Sequence, residues 1–216
     1  MKIFFIAGFI DLGDDIYKNL DYLAIADDLT FFYYTRNEKL ADIETRLLKE
    51  FNEDKYDWIL AHSMGAFFTS RLLAKCLKRQ NVCFISPYIQ KSMLVKAVCM
   101  LPMPYFPNWT YLTTWFDKYT RIRSDITKFK LSNGQLIRAF NRVINSEAYV
   151  LTYKSHNVNI IYGTEDLIAR MEPMFIVKLM TCTTLVSIIS KHEPFNDDFM
   201  IKQNLRRKLL VILSSK

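Results

Sequence analysis

With 216 residues, half of them apolar or aromatic, the chain has material for one domain with a sizeable buried core, and nothing calls for a second folding unit. The net charge of +7 is dispersed, and its one late cluster, Arg206-Arg207-Lys208, has apolar neighbours on both sides; this reads as the solvated face of a last helix, so no nucleic-acid partner is expected. The four cysteines (Cys76, Cys83, Cys99, Cys182) make no CxxC pair and show no metal-ligand spacing, which favours reduced packing thiols and a cytoplasmic setting.

Met1-Lys2 ahead of Ile3-Phe4-Phe5-Ile6 has the opening of a secretory leader. Asp11, Asp14 and Asp15 cut the apolar region short, however, and no small-x-small cleavage site follows, so Lys2 to Ile6 is read as a first strand ending in Ala7-Gly8-Phe9. Asp14 to Leu23 predicts a weak helix and Leu29 to Tyr34 a second strand. Glu38 to Phe51 carries Leu40, Ile43, Leu47, Leu48 and Phe51 on one side, the spacing of an amphipathic helix. Tyr56 to Ala61 is a third strand, Gly65 to Lys78 a helix with Phe67, Leu72, Leu73 and Leu77 inward, and Val82 to Ile85 a fourth strand. Continuously apolar strands alternating with helices predict an α/β fold with a mostly parallel sheet covered on both faces.

Ser86 to about His156 breaks this rhythm: it holds Pro87, Pro102, Pro104 and Pro107, two of the three tryptophans, and no clear strand. Asn108-Trp109-Thr110 matches a glycosylation sequon, which matters only in a secreted protein. Lys96 and the prolines interrupt the apolar run too often for a membrane span. Gln135 to Val150 predicts a helix leading back to the sheet. Asn157 to Tyr162 is the next strand and ends in Gly163-Thr164-Glu165-Asp166, with a helix expected directly after. Thr184 to Ile189 is the last strand, Lys191-His192-Glu193-Pro194-Phe195 its loop, and Asp197 to Leu213 the final helix.

The most informative stretch is Ala61-His62-Ser63-Met64-Gly65, where an apolar strand gives way at once to a helix with serine at the apex. So sharp a turn demands small residues two before and two after the serine, and Ala61 and Gly65 supply them. It would strain Ser63, lift its hydroxyl clear of the sheet edge, and set the Met64 amide at a helix N-terminus facing a developing oxyanion. A serine N-cap on an ordinary helix accounts for the same five residues.

On this elbow the chain resembles the α/β-hydrolase superfamily, with Ala61 in place of the first glycine of G-x-S-x-G, as in the A-x-S-x-G form of some lipases. The resemblance implies a second oxyanion donor on the turn after the first strand, here the Phe9 N–H, although Ala7 stands where many relatives have histidine. It implies a triad acid after a later strand, by position Asp166 with Glu165 as the less favoured stand-in, and a histidine after the last strand, His192. Asp166 serves equally as the N-cap of a following helix. The order Ser63, Asp166, His192 matches the superfamily's Ser…Asp…His, and three of the five glycines (Gly8, Gly65, Gly163) fall at the three turns concerned. Of the three histidines, His62 should point away from the site if Ser63 points into it, and His156 precedes a strand.

The resemblance further divides the chain into a core of 1–86 and 157–216 and a helical cap of 87–156. Met93, Met103, Phe106, Trp109 and Trp115 would line an apolar wall suited to acyl chains, or form the cap's own core. A transient contact of the cap with a membrane surface is compatible with that composition. The implied activity is hydrolysis of a carboxylic ester or small lipid, such as a monoacylglycerol, through an acyl-enzyme that requires no metal or cofactor. A thioesterase or acyltransferase on the same residues, and an inactive binding protein on this fold, are the alternatives.

Overall fold

A computed structural model describes residues 1–8, 17, 26–34, 38–90, 142–166, 169–192, 194–195 and 199–215. Their elements, in chain order, are β1 (Lys2–Ile6), β2 (Asp28–Phe32), α1 (Leu40–Glu50), β3 (Trp58–His62), α2 (Gly65–Leu73), β4 (Asn81–Ile85), α3 (Ser146–Tyr153), β5 (Asn157–Gly163), α4 (Pro173–Met180), β6 (Thr183–Ile188) and α5 (Phe199–Ser214). The strands form one sheet in the order β2-β1-β3-β4-β5-β6, and every pairing is parallel.

Alternation along each strand divides the interior in two, because successive side chains leave opposite faces. Phe4, Ile6, Ile59, Ala61, Val82, Phe84, Val158 and Ile160 face α1, α2, α3 and α4. Ile3, Phe5, Trp58, Leu60, Cys83, Ile85 and Ile161 face Leu205, Leu209, Ile212 and Leu213 of α5, together with Tyr17 and Phe195. Burial on both sides explains why the central strands are unbroken apolar runs. Edge strand β6 has only Ile188 buried and reads accordingly as a mixture.

Several predicted elements are corrected. Helix α2 ends at Leu73, so Leu77, expected on its apolar face, is 96% exposed. The chain turns there through short i→i+3 bonds at Lys75 and Cys76, and the Glu53 carboxylate draws the Leu77 and Lys78 amides outward, accepting from both at 3.2 and 2.8 Å. The helix expected to stop at Val150 restarts at Ser146 and runs to Tyr153, since the Asn145 side chain caps it by accepting from the Ala148 amide. Its Tyr153 is buried in the sheet's core, hydroxyl to hydroxyl with Ser70 at 2.6 Å. The helix expected directly after Asp166 begins later, as α4, with Pro173 in its first turn. The predicted helix over 14–23 lies outside the described residues apart from Tyr17, as does most of the expected cap, residues 91–141. Among the described residues no helix is long and apolar enough to cross a membrane.

The sheet register decides where chemistry can gather. Ile6 pairs with Ala61, Ala61 with Phe84, Ile85 with Ile161, and Gly163 with Ile188, so the carboxyl ends of five strands are level. Gly8, Ser63, Ser86, Asp166 and His192 therefore follow their strands onto one rim.

Candidate active site

Ser63 follows β3 with φ of 49°, the left-handed conformation the sharp turn requires of it. The strain is held by backbone on both sides: the Ser63 amide donates to the Ile85 carbonyl at 3.1 Å, and its own carbonyl accepts from the Tyr88 and Ala66 amides at 2.8 and 3.2 Å. Gly65 makes the turn sterically feasible. A Cβ there would lie 2.2 and 2.6 Å from the Ile6 and Ala7 carbonyl oxygens, so α2 starts in backbone contact with the end of β1. Met64, at the N-cap of α2, presents an amide among the first-turn donors that a helix leaves unpaired.

The loops after β5 and β6 are stitched together. Thr164 and Glu165 amides donate to the Ile188 and Ser190 carbonyls at 2.9 and 3.1 Å. Gly163 permits this approach, since a Cβ on it would meet the Ser190 carbonyl oxygen at 2.4 Å. The stitching carries Asp166 to His192: Oδ2 accepts from Nδ1 at 2.9 Å, while Oδ1 accepts from the Ala169 amide at 2.9 Å and fixes the carboxylate plane. Asp166 does not cap a helix, since among the described residues none begins between it and Pro173; its side chain instead caps a bend at Ala169 and meets the histidine. Glu165 is exposed and is not the partner.

His192 Nε2 lies 2.7 Å from Ser63 Oγ. With a carboxylate at Nδ1 that ring nitrogen carries the proton, leaving Nε2 bare to accept from the hydroxyl. Ser63, Asp166 and His192 are all buried, at 5, 4 and 5% exposure, so their charges interact with little screening from water. Phe9, Met93, Met103, Phe106, Trp109 and Trp115 lie outside the described residues. Among the described residues no group of three His, Cys, Asp or Glu side chains is placed to hold a metal ion. His156 is far along the chain's other rim, between the Gln80 amide and the Leu73 carbonyl, and ties α2 to the start of β5.

His62 corrects an expectation. Rather than turning away from the site, it lies directly behind it, with its ring centroid 5.4 Å from that of His192 and Phe195 edge-on at 5.1 Å. A histidine ending an otherwise apolar strand, Trp58-Ile59-Leu60-Ala61-His62, needs buried partners, and that was the signal available in the sequence. Burial, and then the nearby His192 ring, push its imidazole down to about 3 from an ordinary 6.5. Between those values the unfolded chain binds a proton that the folded chain does not, so stability falls as pH falls, by about 1.4 kcal/mol per pH unit from this group. His62→Gln has nothing to titrate there. Urea midpoints at about pH 5.5 and pH 4.5 should give it a shallower acid slope by about that amount; slopes equal to the wild type's would mean His62 is charged in the folded protein.

No protein-family model matches the chain, and no curated protein sequence is significantly similar to it. Solved structures are. A hydrolase from Pseudomonas aeruginosa PA01 superposes with a TM-score of 0.63 at 9% identity, covering 99% of this chain and 90% of its own. A structure from a study of carboxylesterases of the thaumarchaeon Nitrososphaera gargenis gives 0.62 at 14% identity, with 99% and 91% covered. A thioesterase domain from the curacin biosynthetic pathway gives 0.57 at 12%, with 97% and 90% covered. Such low identities speak to architecture, and the architecture is the α/β-hydrolase fold.

Proposed function

We propose that the protein is a serine hydrolase that cleaves a carboxylic ester through an acyl-enzyme. The observation that carries this reading is the continuous buried line from Asp166 through His192 to Ser63, with contacts of 2.9 and 2.7 Å. In the proposed reaction the Ser63 oxygen attacks the acyl carbonyl as its proton passes to His192 Nε2, and Asp166 stabilises the imidazolium. The tetrahedral oxyanion would rest on the Met64 amide and, as the family resemblance implies, the Phe9 amide. Collapse breaks the ester C–O bond, and His192 returns the proton to the departing alkoxide. Water then enters, gives its proton to His192 and its oxygen to the acyl carbon, and Ser63 is released with that proton restored.

The Met- and aromatic-rich stretch containing Met93, Met103, Phe106, Trp109 and Trp115 supports an apolar acyl group as substrate, and the proposed division sets that stretch, within 87–156, over the core as a cap. A thioesterase would use the same acyl-enzyme, and the likeness to a thioesterase domain keeps it in view as the second reading.

The test is a series of p-nitrophenyl esters of increasing chain length and the matching acyl thioesters, alongside a fluorophosphonate probe. Turnover with an optimum at medium or long chains and labelling of Ser63 are expected. Faster turnover of thioesters at matched chain length would move the assignment to thioesterase. Silence across both series with no labelling would leave a binding protein on a hydrolase scaffold.

A further inference from the structure

The buried polar groups behind Ser63 form a chain in which each hydrogen bond bears on the next. His62 Nε2 faces the His192 carbonyl oxygen at 3.1 Å. A carbonyl only accepts, so Nε2 carries the proton, and in the neutral ring Nδ1 is bare. Tyr17 Oη lies 2.8 Å from that Nδ1 and donates to it, while its oxygen accepts from the Gly8 amide at 2.7 Å. The two histidines, His62 and His192, therefore hold opposite tautomers, each dictated by its acceptor. Three segments, bonded across 45 and 130 residues, meet in this line: the stretch after β1 that holds Gly8 and Tyr17, the last residue of β3, and the loop after β6.

Shape agrees with the bonding. A Cβ on Gly8 would come within 3.0 Å of both His62 Nδ1 and Tyr17 Oη, and 3.1 Å of Ser63 Cβ, so Gly8 is pressed against the relay and the nucleophile together. Phe195 and Phe5 meet Tyr17 edge-on at 5.8 and 5.0 Å, and Phe195 also packs edge-on against His62, so both rings are held among aromatic neighbours.

We infer that Tyr17 and His62 are positioning residues: the line Gly8–Tyr17–His62–His192 holds the backbone of His192 and of Gly8 in fixed relation to Ser63, so that the imidazole is aligned before substrate arrives. The inference rests on the acyl-transfer reading. Loss of the His62 N–H would remove this hydrogen bond from the buried His192 carbonyl and loosen the loop that carries the imidazole. A displacement of this kind affects the transition state more than substrate binding.

Three variants and one spectrum test it. Tyr17→Phe removes the hydroxyl and His62→Phe replaces the imidazole with an aromatic ring that makes no hydrogen bond; with p-nitrophenyl butyrate they should lower kcat about tenfold and up to about a hundredfold respectively, with KM within about twofold. His62→Gln returns an N–H toward the His192 carbonyl and should recover kcat to within about fivefold of the wild type. Fluorophosphonate titration of Ser63 counts competent sites in each protein, so a fall explained by misfolding is separated from one in rate. Wild-type kcat per competent site in His62→Phe, or a His62→Gln no better than His62→Phe, would overturn the inference. In the wild type, imidazole ¹⁵N shifts should show His62, identified by its loss in His62→Gln, neutral and protonated on Nε2 between about pH 5 and pH 8. The opposite tautomer or a charged ring would overturn the relay whether or not the protein hydrolyses esters. A wild type that shows the expected tautomer yet neither turns over ester nor takes the probe would instead overturn the acyl-transfer reading, and with it the positioning role.

Discussion

Ser63→Ala should lower ester turnover by roughly 10³- to 10⁶-fold and abolish fluorophosphonate labelling, while its unfolding free energy stays within about 1 kcal/mol of the wild type. The separation of the two effects follows from where Ser63 gets its support. The left-handed backbone is held by the Ile85 carbonyl and the Tyr88 and Ala66 amides, none of which involves the side chain. Alanine and serine pay similar strain at φ of 49°, since both carry a Cβ. What the substitution removes is the one oxygen 2.7 Å from His192 Nε2. The small residual rate would come from oriented amides and bound water. Near wild-type esterase activity would show that another group attacks the ester, and the elbow would then be no more than a turn.

Much of this arrangement can be read from residue order because the central strands are buried on both faces. Phe4-Phe5-Ile6, Ile59-Leu60-Ala61 and Val82 to Ile85 leave no water-facing side to blur the pattern, and the short glycine-marked turns after them are local. Ser63, Asp166 and His192 follow their strands by one, three and four residues, and level strand ends bring them together, so the order of elements, read with the family resemblance, was enough to single out three side chains that meet. The relay behind them was not legible. His62 depends on Tyr17 and on the His192 carbonyl, 45 and 130 residues away, and no spacing rule announces a bond of that range. Alternation alone sends His62 to the face opposite Ser63; what alternation cannot supply is that the His192 carbonyl of the loop after β6 meets the His62 ring. Leu77 failed for the converse reason, as a helical repeat continued on paper past the point where Glu53 captures the chain.

Asp166→Asn should cost about 10²- to 10⁴-fold in kcat/KM, a loss out of proportion to the single atom exchanged, because neither orientation of the amide satisfies both neighbours. If its oxygen stays on the Ala169 N–H, the amide NH₂ faces His192 Nδ1. That nitrogen must then be bare, the proton moves to Nε2, and the imidazole can no longer accept from Ser63. If the amide flips, its oxygen takes the Nδ1 proton correctly, but its NH₂ is driven against the Ala169 N–H in a buried site, donor to donor. Asp166→Ala imposes no wrong tautomer and leaves room for water at Nδ1, so it should retain more activity than Asp166→Asn despite removing more of the side chain. Fluorophosphonate labelling rates, which need only the Ser63–His192 step, should fall in the same order. Equal rates in both variants would reduce Asp166 to a source of negative charge, and activity within about fivefold of the wild type in Asp166→Asn would remove it from the reaction altogether.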